Sequence, residues 1–211
     1  RFNTSIDRGN HDLGFYVTVS GSLAGLLAES GDLDEAGQIL RSGEDLLSQF
    51  AEYVNPVLVR FLDNSLAYGR AGILMARGKY SEGENALRRI LAGITKEETV
   101  TIKIVVPGLD VDQMSLHVLY GRTVAKLADN LRLQGRLLEA ENVIREALLA
   151  GLKSHGRNSG YTAGLIRQLG GVLYEQGRYE EAEILARAAI GVFVGIGAPR
   201  ESAALAQARI L

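Results

Sequence analysis

The 211-residue chain contains no cysteine and no tryptophan, and only three prolines. Without cysteine there is no disulfide, no thiolate metal ligand and no thiol nucleophile. Three histidines, His11, His117 and His155, stand too far apart to place two ligands at i,i+3 or i,i+4 on a helix, so a helical metal motif is missing. No apolar run approaches the ~20 residues of a membrane span. The opening "RFNTSIDRGNHDLG" lacks the apolar centre of a signal peptide. The formal net charge of -2 provides no global field for nucleic acid or an anionic membrane. The expectation from these absences is a cytoplasmic protein with neither nucleic acid nor membrane among its partners. The chain starts without methionine and "ESAALAQARIL" stops within a helical pattern, so a piece of a longer protein is expected.

What is present is a hydrophobic content of 46%, a charged content of 23% and 25 glycines. The first two suit a packed soluble fold. The glycines do not suit a helical one, since each interior glycine costs roughly 1 kcal/mol against alanine. An internal repeat accounts for them. "LAESGDLDEAG" (27–37), "LMARGKYSEGE" (74–84), "LRLQGRLLEAE" (131–141) and "LYEQGRYEEAE" (173–183) align on Gly31, Gly78, Gly135 and Gly177. Four residues before the glycine stand Leu27, Leu74, Leu131 and Leu173; two after it stand Leu33, Tyr80, Leu137 and Tyr179. Five after it stand Ala36, Gly83, Ala140 and Ala182, and seven before it Ala24, Ala71, Ala128 and Gly170.

Apolar residues recur at three and four on both sides of each glycine, as at Leu165, Leu169, Leu173 and at Leu137, Ala140, Ile144, so each unit reads as two helices. The glycine ends the first by supplying a left-handed residue. Acidic residues open the second, at Glu82, Glu139 and Glu181, facing the positive end of its dipole. The small residues before and after the glycine let the two helices cross closely. The spacing predicts helices near 11–29, 33–49, 56–77, 80–92, 112–134, 137–151, 160–176 and 179–193, with a truncated ninth from Pro199. The helix-pair units span about 11–50, 56–93, 112–151 and 160–194, with a partial unit at 199–211. An insertion at 95–111, with the β-branched run "TVTIKIVV", reads either as an ordered excursion or short strand after a helix end at Gly93 or, equally, as a mobile loop.

Leu169, Gly170, Leu173, Gly177, Tyr179, Ala182 and Ala189 are the residues through which the chain resembles the tetratricopeptide repeat. The match is good again at 127–150, moderate at 23–43 and weakest at 70–90, where Arg70 and Gly83 depart from the pattern. Glycine spacings of 47, 57 and 42 exceed the family's usual period of about 34 and resemble the long-helix variant of kinesin light chain-like arrays. The resemblance implies an all-α fold, a right-handed α–α superhelix of about four helix pairs filling 1–211 as one solenoid. It also implies a non-catalytic scaffold that binds protein or peptide, similar to the regulatory region of a larger bacterial CHAT-type or signalling protein. No cofactor is implied.

In such an array the first helices line the concave face. By register, Asn64, Tyr68, Met75, Arg122, Lys126, Asp129, Arg132, Arg167 and Tyr174 are the candidate partner-binding residues. Arg122, Lys126, Arg132 and Arg167 would form a positive strip for an acidic peptide. The family's carboxylate clamp needs an Asn where this chain has Gly25, Gly72, Asp129 and Gly171, which argues against a chaperone-tail partner. Two other readings stand beside this one. The first is self-association, a homo-oligomer formed through the uncapped end or the 95–112 excursion. The second is an enzyme with a carboxylate or histidine site in the groove, which no residue constellation supports. "GVFVGIGAPR" (191–200) lacks the strand and the Lys-Ser/Thr of a phosphate loop and reads as an inter-repeat turn.

Overall fold

The protein is described from a computed structural model, covering residues 4–94, 101–102 and 114–198. Among the described residues eight α-helices follow one another: α1 (Thr4–Ser30), α2 (Leu33–Phe50), α3 (Pro56–Ala76), α4 (Tyr80–Gly93), α5 (Leu116–Leu133), α6 (Leu137–His155), α7 (Gly160–Glu175) and α8 (Tyr179–Gly195). Apart from one two-residue strand pair the ordered elements among the described residues are helices, and the fold is of the α–α solenoid class.

Four turns share one hydrogen-bond pattern. Gly31, Gly78, Gly135 and Gly177 all have positive φ. The residue after each donates its backbone N–H to the leucine four before the glycine: Asp32 to Leu27, Lys79 to Leu74, Arg136 to Leu131 and Arg178 to Leu173, each at 2.9 Å. This six-to-one bond closes the first helix and satisfies a carbonyl that would otherwise be orphaned. The next helix then starts with a backbone bond from the small residue: Ala36, Gly83, Ala140 or Ala182. All four small residues are buried, as close crossing requires. Gly197 repeats the turn after α8, with φ 73° and Ala198 N–H bonded to Phe193 O at 2.9 Å.

The second helices start without a side-chain cap. At three of them the N-cap residue is a cation, Lys79, Arg136 or Arg178, which has no acceptor to offer. Each instead reaches forward three residues to the acidic first turn: Glu82 at 3.0 Å, Glu139 at 2.6 Å, Glu181 at 2.7 Å. Two first helices begin more conventionally. Asn55 Oδ1 accepts from Val57 N–H at 2.8 Å ahead of Pro56, and Ser159 Oγ accepts from Thr162 N–H at 3.1 Å.

Four boundaries differ from the sequence expectation. α1 starts at Thr4 rather than near 11. α6 runs on to His155, which places that histidine in a helix rather than in a loop. Gly93 is the last residue of α4, not a left-handed cap; Ile94 closes the helix in an extended conformation. α5 begins at Leu116 rather than 112, because β2 (Met114–Ser115) pairs antiparallel with β1 (Thr101–Ile102) in the register Thr101↔Ser115, Ile102↔Met114. A short strand is thus present at the excursion. The rest of 95–113 and the ninth helix expected from Pro199 lie outside the described residues.

The contacts divide the chain into two compact units, 1–123 and 124–211. In the first, α1 lies against α2 and α3, and α3 against α4, around Val17, Leu62, Leu66, Leu87 and Ile90. α1 and α3 meet backbone to backbone. A Cβ on Gly21 would collide with Ser65 O, and a Cβ on Gly69 with Gly21 O. In the second unit α7 lies between α6 and α8, over Ile144, Val172 and Leu173. A smaller cluster forms from Ala163, Ala189 and Phe193.

Candidate interaction surface

The candidate residues fall into two groups, one in each unit. In the first, Arg122 stacks its guanidinium over the Tyr68 ring, 4.9 Å from the centroid, and donates to Ser22 Oγ at 3.3 Å. Stacking on an aromatic face satisfies part of its charge internally. Asn64, Tyr68 and Met75 are half-buried on α3.

The second group is polar and lies on α5 and α7. Arg132 donates Nη1 to Asp129 Oδ1 at 2.7 Å and Nη2 to Glu175 Oε1 on α7. The hydrogen bond from Arg132 holds the Glu175 carboxyl below its ordinary pKa, against the opposing effect of burial. Burial raises the Asp129 carboxyl; the Arg132 charge and a hydrogen bond with Gln168 pull it part of the way back. Arg167 on α7 is different. It forms no ion pair within the described residues, and its Nε, like that of Arg132, is buried without a hydrogen-bond partner. Burial depresses its pKa, Asp129 opposes that, and the neighbouring Arg132 adds to it. The cost of burying an incompletely paired cation is large unless something completes the pairing. Tyr174 follows on the same helix, 48% exposed, edge-on to Tyr179 with ring centroids 5.2 Å apart.

Lys126 corrects the expected positive strip. Only 6% of its surface is accessible, so it offers no docking charge. Its helical neighbours at three before and four after, Thr123 and Asn130, are fully buried, and Lys126 shares their face of α5. Of the four cations proposed for the strip, Arg122 stacks on tyrosine, Lys126 is buried and Arg132 is bound by two carboxylates.

Sequence reasoning missed Glu175 and Gln168, which complete the α5–α7 cluster. It also missed Glu141, buried at the start of α6, which accepts from Arg178 at 3.0 Å, Gln176 at 2.9 Å and Arg145 at 2.8 Å. Burial would raise its pKa, yet the hydrogen bonds from Gln176, Arg145 and Arg178 outweigh that and lower it. The signal available was a carboxylate at 141 and a cation at 178, each one residue past a repeat position of known geometry. His155 stacks on Tyr161, with ring centroids 4.6 Å apart, and lies 2.7 Å from Ser154 Oγ through Nδ1. Among the described residues no three His, Asp or Glu side chains gather as metal ligands, and no helix is long and apolar enough to cross a membrane.

Three comparisons with known proteins bear on this arrangement. The tetratricopeptide-repeat family model matches residues 121–193, the stretch that holds the α5–α7 cluster and two of the four glycine turns. No curated protein matches the chain. Among solved structures, the fold is similar to the crystal structure of BtubC (BKLC) from P. vanneervenii, with a TM-score of 0.59 and 16% identity, covering 99% of this chain and 82% of that one. At that identity the likeness concerns the fold. Over residues 121–193 the chain is similar to tetratricopeptide repeats, and the two glycine turns in that stretch have the geometry described above.

Proposed function

We propose that the chain is a non-catalytic scaffold whose α5–α7 face binds an acidic peptide segment of another protein. A role in protein interaction is typical of tetratricopeptide repeats; the acidic partner is the finer reading. The observation that supports it is Arg167, a half-buried cation that forms no ion pair among the described residues, beside an Arg132 that is bound by two carboxylates. A peptide carboxylate placed on the Arg167 guanidinium would complete its pairing with a charge-assisted bond. Exposed Tyr174, about two turns further on, offers an aromatic anchor of the kind enriched at interfaces. The reading extends to a regulatory region within a larger cytoplasmic protein, where such an array would hold a partner near another domain.

Fluorescence anisotropy with labelled Glu/Asp-rich peptides tests this. Arg167→Glu should weaken binding by about tenfold or more, equivalent to 1.4 kcal/mol, and raised salt should weaken the wild type. Binding that ignores both the substitution and salt would remove the α5–α7 face as the site. Arg122→Ala serves as a comparison and should change affinity little, since that guanidinium is occupied by Tyr68 and Ser22.

A further inference from the structure

Arg132 on α5 and Arg167 on α7 are neighbours that share one carboxylate. Asp129 binds Arg132 at 2.7 Å, and its charge also acts on Arg167. The two guanidinia in turn work against each other, since Arg132 disfavours the charge on Arg167. Each has its Nε buried without a hydrogen-bond partner. Two such cations side by side call for more negative charge than Asp129 supplies.

Part of that charge comes from Glu175, whose carboxylate accepts from Arg132 Nη2. Glu175 is the last residue of α7, with 38% of its side chain accessible. Among the described residues Arg132 is the one cation it pairs with, whereas Arg132 keeps Asp129 three residues away on its own helix. Withdrawal of Glu175 into solvent therefore breaks one part-exposed ion pair, a contact of small net worth. The Arg132 guanidinium stays oriented by Asp129.

The repeat does not require this arrangement. Arg132 stands three residues before Gly135, and Glu175 two before Gly177. In the first unit the corresponding pair, three before Gly31 on α1 and two before Gly78 on α3, is Ala28 and Ala76. Those helices meet through Gly21 and Gly69 instead. The counterpart of Arg167 in α3 is Tyr68, and that of Asp129 in α1 is Gly25. Two arginines with a removable carboxylate are thus a property of the α5–α7 face, not of the helix pair as such.

We infer that Glu175 is a resident stand-in for a ligand carboxylate: it holds Arg132 in the free protein and gives way there to an acidic side chain of a bound peptide. The face then reads two neighbouring acidic residues, one on Arg167 and one on Arg132. This rests on the acidic-peptide reading given above and adds a selectivity to it. A lone acidic side chain takes Arg167 and leaves Glu175 in place; a pair displaces it. A carboxylate tethered on the next helix competes at a high effective concentration. It lowers apparent affinity by the fraction of molecules in which Arg132 is free, so a ligand must gain at both arginines to overcome it.

Fluorescence anisotropy with two labelled Gly-Ser peptides, one carrying a Glu-Glu pair and one a Glu-Gln pair, tests the inference. Glu175→Gln keeps the side-chain volume and removes the competing charge. It should tighten binding of the Glu-Glu peptide about three- to tenfold, and that of the Glu-Gln peptide by clearly less. In the double variant Arg132→Gln/Glu175→Gln the gain should be gone, because the arginine it frees is absent. Glu175→Ala, checked for wild-type helicity by circular dichroism, should act as Glu175→Gln does. An affinity that Glu175→Gln leaves unchanged or weakens overturns the inference. A gain that persists without Arg132, or is equal for the two peptides, overturns it as well, since it then reports only the change in net charge. Arg167→Glu separates these outcomes from failure of the reading beneath. If Arg167→Glu abolishes binding while Glu175→Gln has no effect, the face takes acidic peptide and Glu175 is only structural. If the wild type binds neither peptide, or Arg167→Glu changes nothing, the acidic-peptide reading fails and the inference falls with it.

Discussion

The first helices of the two units are held together by opposite means. In residues 1–123, α1 and α3 touch through Gly21 and Gly69, with no space for a side chain between backbones. In residues 124–211, α5 and α7 are tied by long charged side chains, Arg132 reaching across to Glu175 and Gln168 reaching back to Asp129. The glycine contact sets backbone against backbone. The charged contact leaves Arg167 incompletely paired. The same repeat can therefore make a close-packed junction of glycines or a polar one of charged side chains.

The contrast can be tested by substitution, beginning with what the two units share. Leu173 is 1% exposed and lies at the leucine position of the repeat; Leu173→Ala should cost about 2–5 kcal/mol in urea unfolding, and a smaller loss would mean the site collapses around the gap. Gly69→Ala should cost about 1–3 kcal/mol, because the new methyl meets rigid backbone rather than a movable side chain. Gly171→Ala on α7 should do the reverse and stabilise by about 0.5–1 kcal/mol, since a Cβ there meets nothing within 4 Å. If both alanines act alike, the two junctions do not differ as described. The smallest effect is the acid response. Glu141 and Glu175 have lowered pKa values in the folded state, so their stabilisation is present above the unfolded value of about 4.3 and is lost as pH falls through the folded one. Asp129, raised by burial, contributes with the opposite sign: its favourable part exists at low pH and disappears as pH rises. Unfolding midpoints between pH 7 and 3 should fall less steeply for Glu141→Gln than for the wild type.

What could be read in the sequence follows from what a repeat fixes. The leucine, glycine and small residue around each turn act within eleven residues, so their spacing alone sets the hydrogen bonds and the buried crossing, as at Leu173, Gly177 and Ala182. The pairing of Glu183 with Arg187 follows for the same reason, at 2.6 Å. Contacts between helices of different pairs obey no such rule. Arg132 and Glu175 are 43 positions apart, and whether they meet depends on the angle and depth of a crossing that the period does not encode. Lys126 shows the limit most plainly. The register that places Asp129 on the candidate face places Lys126 one turn earlier, yet its side chain is buried beside Thr123 and Asn130. The glycine excess was legible as a demand for small residues. Part of it is met between α1 and α3, a crossing outside the helix pair.

The edge-on contact of Tyr174 with Tyr179 gives the second unit an optical label of its own. With no tryptophan in the chain, tyrosine emission is not drained into a brighter acceptor. Tyr174 sits half in solvent at the end of the α5–α7 face. An occupant there would change the polarity around one ring of a coupled pair, so unlabelled protein would report its own occupancy in ultraviolet emission and in near-ultraviolet circular dichroism.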